Sequence, residues 1–329
     1  MAHLSVKNLS VSFDVRPRGG WPWTPPRKLQ AVRDVSLNVA AGETLGVVGE
    51  SGSGKSTLAR AIIGTIPASA GAIFWGDTDL TMLDAKARRK YRKDVQMIFQ
   101  DPLAALNPRM TVGQIIAEPL RTHEPDLTSA EMRTRVGEMM ERVGLLSNLI
   151  NRYPHEFSGG QCQRIGIARA LISNPRMVIC DEPVSALDVS VQAQVVNLLC
   201  DLQRDMGLSL IFISHDLSVV QHISDRIAVL YLGRLMEVGA SRDVCQSPLH
   251  PYTQALISAV PIPDPAVARN KNDPVLDGDL PSPLMPPSGC VFRTRCSLAV
   301  PRCGDVMPEL VETKPGHCHG CAVLQDQPV

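Results

Sequence analysis

Gly49-Glu50-Ser51-Gly52-Ser53-Gly54-Lys55-Ser56 has the spacing G-x-x-x-x-G-K-[ST], after an apolar run and ahead of helical periodicity. Glycines there let backbone N–H groups curl around a phosphate, and the helix N-terminus adds partial positive charge. Lys55 is placed to bridge β- and γ-phosphates and Ser56 to ligate Mg²⁺, with Thr57 closing the nucleotide-binding run. A carboxylate pair, Asp181-Glu182, ends a second apolar run, Met177-Val178-Ile179-Cys180. Asp181 is suited to hold Mg²⁺ through water, and Glu182 to polarise the water that attacks the γ-phosphorus. Such a pair alone is often no more than a polar strand end; a phosphate loop in the same chain favours the catalytic reading. Phe157-Ser158-Gly159-Gly160-Gln161 precedes the helical spacing Ile165, Ala168, Leu171, Ile172 and makes a second phosphate-ready helix N-terminus. One chain does not need two for one phosphate tail.

The elements that must carry these groups alternate. Leu4 to Phe13 reads as a half-buried strand, Val35–Val39 and Thr44–Val48 as further strands, and Lys55 to Gly64 as a helix. Thr128-x-x-Glu131 is a capping box ahead of the apolar face Val136, Met139, Met140, Val143. Buried-strand runs follow at Met177–Cys180 and Leu208–Ile213 with helical spacing between, so the fold class is α/β with a largely parallel core sheet. Arg16 to Arg27, with four prolines, Trp21 and Trp23, reads as an exposed loop.

The 329 residues carry no net charge (33 basic against 33 acidic), which argues against non-specific nucleic-acid binding, and 44% are hydrophobic, as in a globular protein. No apolar run is long enough to span a bilayer and the start lacks a signal-peptide pattern, so a cytoplasmic protein is expected, with any membrane role through a partner. Five of nine cysteines (Cys290, Cys296, Cys303, Cys318, Cys321) lie in the last 40 residues and 14 of 26 prolines follow Val244, which sets a boundary between a regular body, 1–245, and a loop-rich extension, 246–329. Cys290, Cys296, Cys303 and Cys321 are spaced C-x5-C-x6-C-x17-C, in a segment poor in periodic apolar residues. That spacing lacks paired C-x2-C knuckles and the bacterial ferredoxin run, so metal and plain burial both stay open.

Taken in order, the phosphate loop, the Ser158 motif and the Asp181-Glu182 strand end resemble the ABC ATPase family. The resemblance implies a P-loop ATPase with a RecA-like core, an N-terminal antiparallel β-subdomain and an α-helical subdomain at about 101–157. That subdomain would receive a cytoplasmic helix of a membrane subunit. It further implies that Ser158, Gly159, Gly160 and Gln161 bind the ATP held by a partner subunit. Gln100 is similar to the Q-loop glutamine at Mg²⁺ and the attacking water, Asp188 in Ser185-Ala186-Leu187-Asp188 to the D-loop, and His215 to the switch histidine. Phe13 matches the adenine-stacking aromatic by position, with Trp21 or Trp23 as alternatives.

The stretch Phe99–Thr111 (Phe99-Gln100-Asp101-Pro102-Leu103-Ala104-Ala105-Leu106-Asn107-Pro108-Arg109-Met110-Thr111) and the tail stretches Pro248–Thr253, Val260–Pro265 and Gly289–Cys296 are similar to peptide importers. Cys162 and Val184 resemble the F-type of the importer's two ATPases. This branch implies ATP and Mg²⁺ as cofactors, and a D-type ATPase paired head to tail. It also implies two permease subunits, an extracytoplasmic peptide-binding protein, no nucleic acid, and a place on the cytoplasmic face of the bacterial inner membrane. It suggests a [4Fe–4S] cluster on Cys290, Cys296, Cys303 and Cys321, with Cys318 extra and zinc, aided by His317 and His319, as the alternative. A soluble ABC ATPase of DNA repair or translation is the competing class, although the chain shows one ATPase unit and no coiled-coil insertion. An exporter subunit is disfavoured by the peptide-importer tail.

Overall fold

The computed structural model describes residues 2–16, 19, 25–260 and 280–325. Trp21, Trp23 and the 261–265 proline stretch lie outside the described residues. The chain opens with β1 (Ala2–Val15), β2 (Arg27–Ala40), β3 (Thr44–Val48), α1 (Lys55–Ile62), β4 (Ala70–Trp75) and β5 (Thr78–Asp79). Its middle holds α2 (Ala85–Tyr91), β6 (Val95–Ile98), α3 (Val112–His123), α4 (Ser129–Arg142), α5 (Gly159–Leu171), β7 (Met177–Asp181), α6 (Val189–Met206) and β8 (Ser209–Ile213). It closes with α7 (Leu217–Ile223), β9 (Arg226–Tyr231), β10 (Arg234–Ala240), α8 (Ser241–Gln246), α9 (Pro251–Ser258), β11 (Val311–Lys314) and β12 (His317–His319). These elements fall into two compact units, each woven from separated stretches of chain.

The first unit comprises 1–3, 39–44 and 82–213. Its strands run parallel, β6 on β7 and β7 on β8. Every residue of β7 and β8 is buried, which is why both read as continuous apolar runs rather than alternating ones. The helices α3, α4 and α5 pack on one another. The Thr128 capping box is formed: the Glu131 N–H donates to Thr128 Oγ1 (3.3 Å) and the Thr128 N–H to Glu131 Oε2 (2.8 Å). Thr111 and Gln114 start α3 in the same way, satisfying N–H groups that a helix start otherwise leaves open.

The second unit comprises 4–38, 45–81 and 214–329. It holds an antiparallel sheet in the order β2-β1-β4-β5. A second set of strands pairs β3 parallel to β9, then β10, β12 and β11 antiparallel in succession. The C-terminal segment therefore adds two strands to a sheet, where the sequence suggested loops. β11 is polar and largely exposed, and β12 is the three-residue His317-Cys318-His319, so neither carries an alternation long enough to read.

A buried polar node fixes that addition. Glu237 on β10 is fully buried and accepts from the N–H groups of Leu249 and His250, both at 2.8 Å, while His317 Nε2 lies 2.7 Å from its carboxylate. Burial works against the Glu237 charge, but the bonds from His317 and the two amides outweigh it and hold the carboxyl below its ordinary range. Burial pulls His250 down to about 4, so its ring is neutral and Nδ1 accepts the Tyr252 N–H (3.0 Å) at the start of α9. Beside it, Tyr231, Tyr252 and Phe292 form an aromatic cluster, with Tyr231 edge-on to both partners at 4.6 and 5.3 Å between centroids.

Candidate nucleotide-binding site

In the second unit the loop from Gly49 to Gly54 links buried β3 to α1. Two glycines are compulsory. A Cβ on Gly49 (φ 154°) would sit 2.1 Å from the Leu230 carbonyl oxygen, and one on Gly54 (φ 104°) 2.3 Å from that of Ala31. Gly54 is also the N-cap of α1 and offers no side-chain cap, so the helix start keeps N–H groups for an anion. Lys55 is buried and its ammonium donates to the carbonyls of Gly49 (2.8 Å) and Glu50 (3.0 Å). Ser53 Oγ is buried without a hydrogen-bond partner, a polar atom at the loop that suits a phosphate oxygen. Ser56 and Thr57 are half-buried in the first turn of α1, Ser51 and Gly52 exposed at the loop tip, and Phe13 half-buried on β1.

His215 belongs to the same unit and lines, with Val48, Gly49, Asp216, Leu256 and Val260, an open cavity of about 400 Å³. The loop bearing it is fixed at both sides: the Ser214 N–H donates to Val47 (3.2 Å), and Asp216 caps α7 through the Ser218 N–H (2.9 Å). Gly49, at the start of the glycine-rich loop, and His215 thus line one cavity.

The first unit brings Gln100 and Glu182 together, with the Gln100 amide donating to the Glu182 carboxylate at 3.1 Å. Asp181 is buried at the end of β7. Glu182, next in the chain, has φ 47°, a left-handed conformation that costs a non-glycine residue energy. Its N–H is held by the Ile213 carbonyl (3.0 Å), which anchors the backbone in that turn. That turn has no signature in the residue types.

Ser158 is the N-cap of α5 and forms a capping box with Gln161, whose N–H donates to Ser158 Oγ at 3.3 Å. Ser158, Gly159 and Gln161 are exposed, and Gly160 is required by Val191, whose Cγ1 would be 2.5 Å from an added Cβ. The reciprocal cap, visible as S-x-x-Q, was not read from the sequence. Asp188 caps α6, accepting from the Val191 N–H (3.0 Å) and the Ser190 hydroxyl (2.7 Å), and the hydroxyl bond in particular holds its carboxyl below the ordinary range. Cys162 is fully buried with its thiol directed at the Pro154 carbonyl, 3.4 Å away.

A model of the ABC transporter family matches residues 32–185, and one described as the oligopeptide/dipeptide transporter C-terminal region matches 236–303. The oligopeptide transport ATP-binding protein OppF of Salmonella typhimurium is 63% identical over 307 residues, 93% of this chain and 92% of its own. The chain belongs to the ABC transporter ATP-binding family. OppF of Haemophilus influenzae is 61% identical over 97% of this chain and 96% of its own. Among solved structures, a dimeric ATP-binding cassette in a post-hydrolysis state bound to ADP and Pi is 28% identical, with a TM-score of 0.65. It covers 73% of this chain and 99% of its own. This ABC protein is therefore an ATPase.

The tail cysteines of this ABC protein converge in part. Cys290, Cys303 and Cys321 are buried and Cys296 half-buried. Burial raises the thiol pKa of Cys290 to about 11 and also raises those of Cys296 and Cys321; neighbouring thiols of the same four add to each. The thiol of Cys318 is raised by burial and then by Glu312, outside that group. The donor chemistry suits iron or zinc, yet among the described residues no three His, Cys, Asp or Glu side chains are grouped so as to hold a metal ion.

Proposed function

We propose that this chain is the ATP-hydrolysing subunit that powers import of di- and oligopeptides across the bacterial cytoplasmic membrane. It works with a second, D-type ATPase on two permease subunits, supplied by an extracytoplasmic peptide-binding protein. The observation that carries this reading is the match of 236–303 to the oligopeptide/dipeptide transporter C-terminal region, because a cassette alone specifies only ATP hydrolysis. The same match disfavours a role in DNA repair or translation. Among the described residues no helix is long and apolar enough to cross a membrane. A peripheral place on the cytoplasmic face, through the permeases, accords with that.

In this reading the backbone N–H groups from Gly49 to Ser56 cradle the phosphates, and Phe13 stacks on the adenine. Lys55 and His215 offset negative charge developing on the γ-phosphoryl group. Ser56, Asp181 and Gln100 would hold Mg²⁺, which supplies Lewis-acid charge neutralisation when bound. Glu182 accepts the proton of the attacking water, and the 3.1 Å bond from Gln100 keeps its carboxylate in place until water arrives. Ser158, Gly159, Gly160 and Gln161, with Asp188 nearby in the role of D-loop, serve the nucleotide on the partner subunit.

A composite site makes the lone chain a poor enzyme. Purified alone, it should bind Mg-ATP and hydrolyse it slowly. With its partner ATPase and permeases, and loaded binding protein present, the rate should rise by about an order of magnitude or more. Phosphate release measured on both preparations checks this; equal, brisk hydrolysis by the monomer contradicts it.

For the tail we propose a [4Fe–4S] cluster on Cys290, Cys296, Cys303 and Cys321, with zinc as the alternative. What supports this is the C-x5-C-x6-C-x17-C spacing together with the burial of Cys290, Cys303 and Cys321. Its role is structural, since peptide import needs no redox step. Anaerobic purification followed by metal and sulfide analysis should give about four iron and four sulfide per chain. Zinc without sulfide would select the alternative, and a metal-free protein that still assembles would contradict both.

A further inference from the structure

Glu50 is the first residue of the phosphate loop after Gly49, and each of its polar groups is engaged. Its carbonyl accepts from Lys55 Nζ (3.0 Å) and from the Ser53 N–H (3.1 Å), which closes the loop on itself. The other two groups are held from far along the chain. The Glu50 N–H donates to the Tyr252 hydroxyl at 2.9 Å. Its carboxylate receives one guanidinium nitrogen of Arg295, 3.0 and 2.8 Å from the two oxygens, across 245 residues of sequence.

Neither contact is a loose surface encounter. The Arg295 side chain is only 8% exposed and that of Glu50 23%, so the pair is shielded from much of the solvent screening that weakens exposed ion pairs. The Tyr252 ring is fully buried against Tyr231 and Phe292, and its N–H is tied to His250, so the hydroxyl has little freedom to move. Arg295 ends a short 3-10 turn, Arg293–Arg295, directly before Cys296. Both residues lie beyond 32–185, the span that matches the cassette, and within the C-terminal region that matches at 236–303.

We propose that Tyr252 and Arg295 are positioning residues of the ATP site, through which the C-terminal region holds Glu50 and hence sets Lys55 and Ser53 for the phosphates. This rests on the reading of Gly49–Ser56 as the ATP-binding loop. Tyr252 fixes the backbone at the loop entrance, where one N–H out of place would move the Lys55 acceptor. Arg295 fixes the same residue by its side chain, with a charge-assisted bond that a neutral residue cannot replace.

The test is calorimetric titration of Mg-ATP into the full-length chain, with thermal unfolding followed on each variant. Arg295→Met should raise the Kd for Mg-ATP roughly tenfold and Arg295→Lys should return it to within about threefold of the parent. Tyr252→Phe, which removes a single oxygen, should raise it about threefold. Lower unfolding temperatures with unchanged Kd values would show a merely structural contact and overturn the proposal, as would Arg295→Lys binding no better than Arg295→Met. If Arg295→Met does not fold, Tyr252→Phe decides alone: a raised Kd supports the proposal and the parental value overturns it. Failure of the parent chain itself to bind Mg-ATP would instead overturn the ATP-site reading.

Discussion

Replacing Glu182 by Gln should leave Mg-ATP binding intact and slow hydrolysis at this site about a hundred- to a thousandfold, the contribution of a positioned general base. The amide keeps the shape of the carboxylate and can still meet Gln100, but it cannot take a proton from water. The backbone at φ 47° is set by the Ile213 carbonyl and is indifferent to this change, so the protein should fold as before. Single-turnover phosphate release, with the partner's site disabled, measures the loss, and nucleotide retention should mark a trapped closed pair. Turnover at the parental rate would remove Glu182 from the mechanism.

Lys55→Ala should act on binding rather than on chemistry alone. The ammonium is buried and held by two carbonyls of its own loop, so truncation removes a fixed positive charge and leaves the Gly49 and Glu50 oxygens without that donor. Loss of a charge-assisted contact to phosphate in a partly desolvated site should weaken Mg-ATP about a hundredfold, or roughly 2.7 kcal/mol. Equilibrium titration with Mg-ATP checks this. An unchanged Kd would mean that the loop does not carry the phosphates.

The sequence could nominate these two residues because the chemistry proposed for them dictates both residue type and spacing. A phosphate loop needs glycine where Gly49 and Gly54 meet the Leu230 and Ala31 carbonyls, so the motif records a backbone shape. The Thr128 capping box was readable for the same reason: both partners lie within one turn. What escaped depends on residues far apart in the chain. Glu237 and His317 pair across 80 residues, and Glu50 and Arg295 across 245, and no local pattern announces either bond. β11 and β12 were missed because a three-residue strand that docks on β10 needs no periodicity of its own. The four tail thiols had a spacing but no shape, and spacing alone does not tell a ligand set from buried cysteines.

Arg295 and Tyr252 give the C-terminal region a physical reason to accompany the cassette: it reaches Glu50 in the loop proposed to hold the nucleotide. Damage to the tail should then be felt in ATP affinity, and not only in solubility or assembly.

ATP hydrolysis by this chain should drive peptide uptake. The most direct measurement is accumulation of a labelled oligopeptide in membrane vesicles containing this chain, its partner ATPase, the permeases and the peptide-binding protein. Uptake against a gradient should require ATP, and it should fall to background when Glu182→Gln replaces the parent chain. Uptake that continues without ATP or with Glu182→Gln, or an assembled complex that hydrolyses ATP yet moves no peptide of any length, would contradict the account.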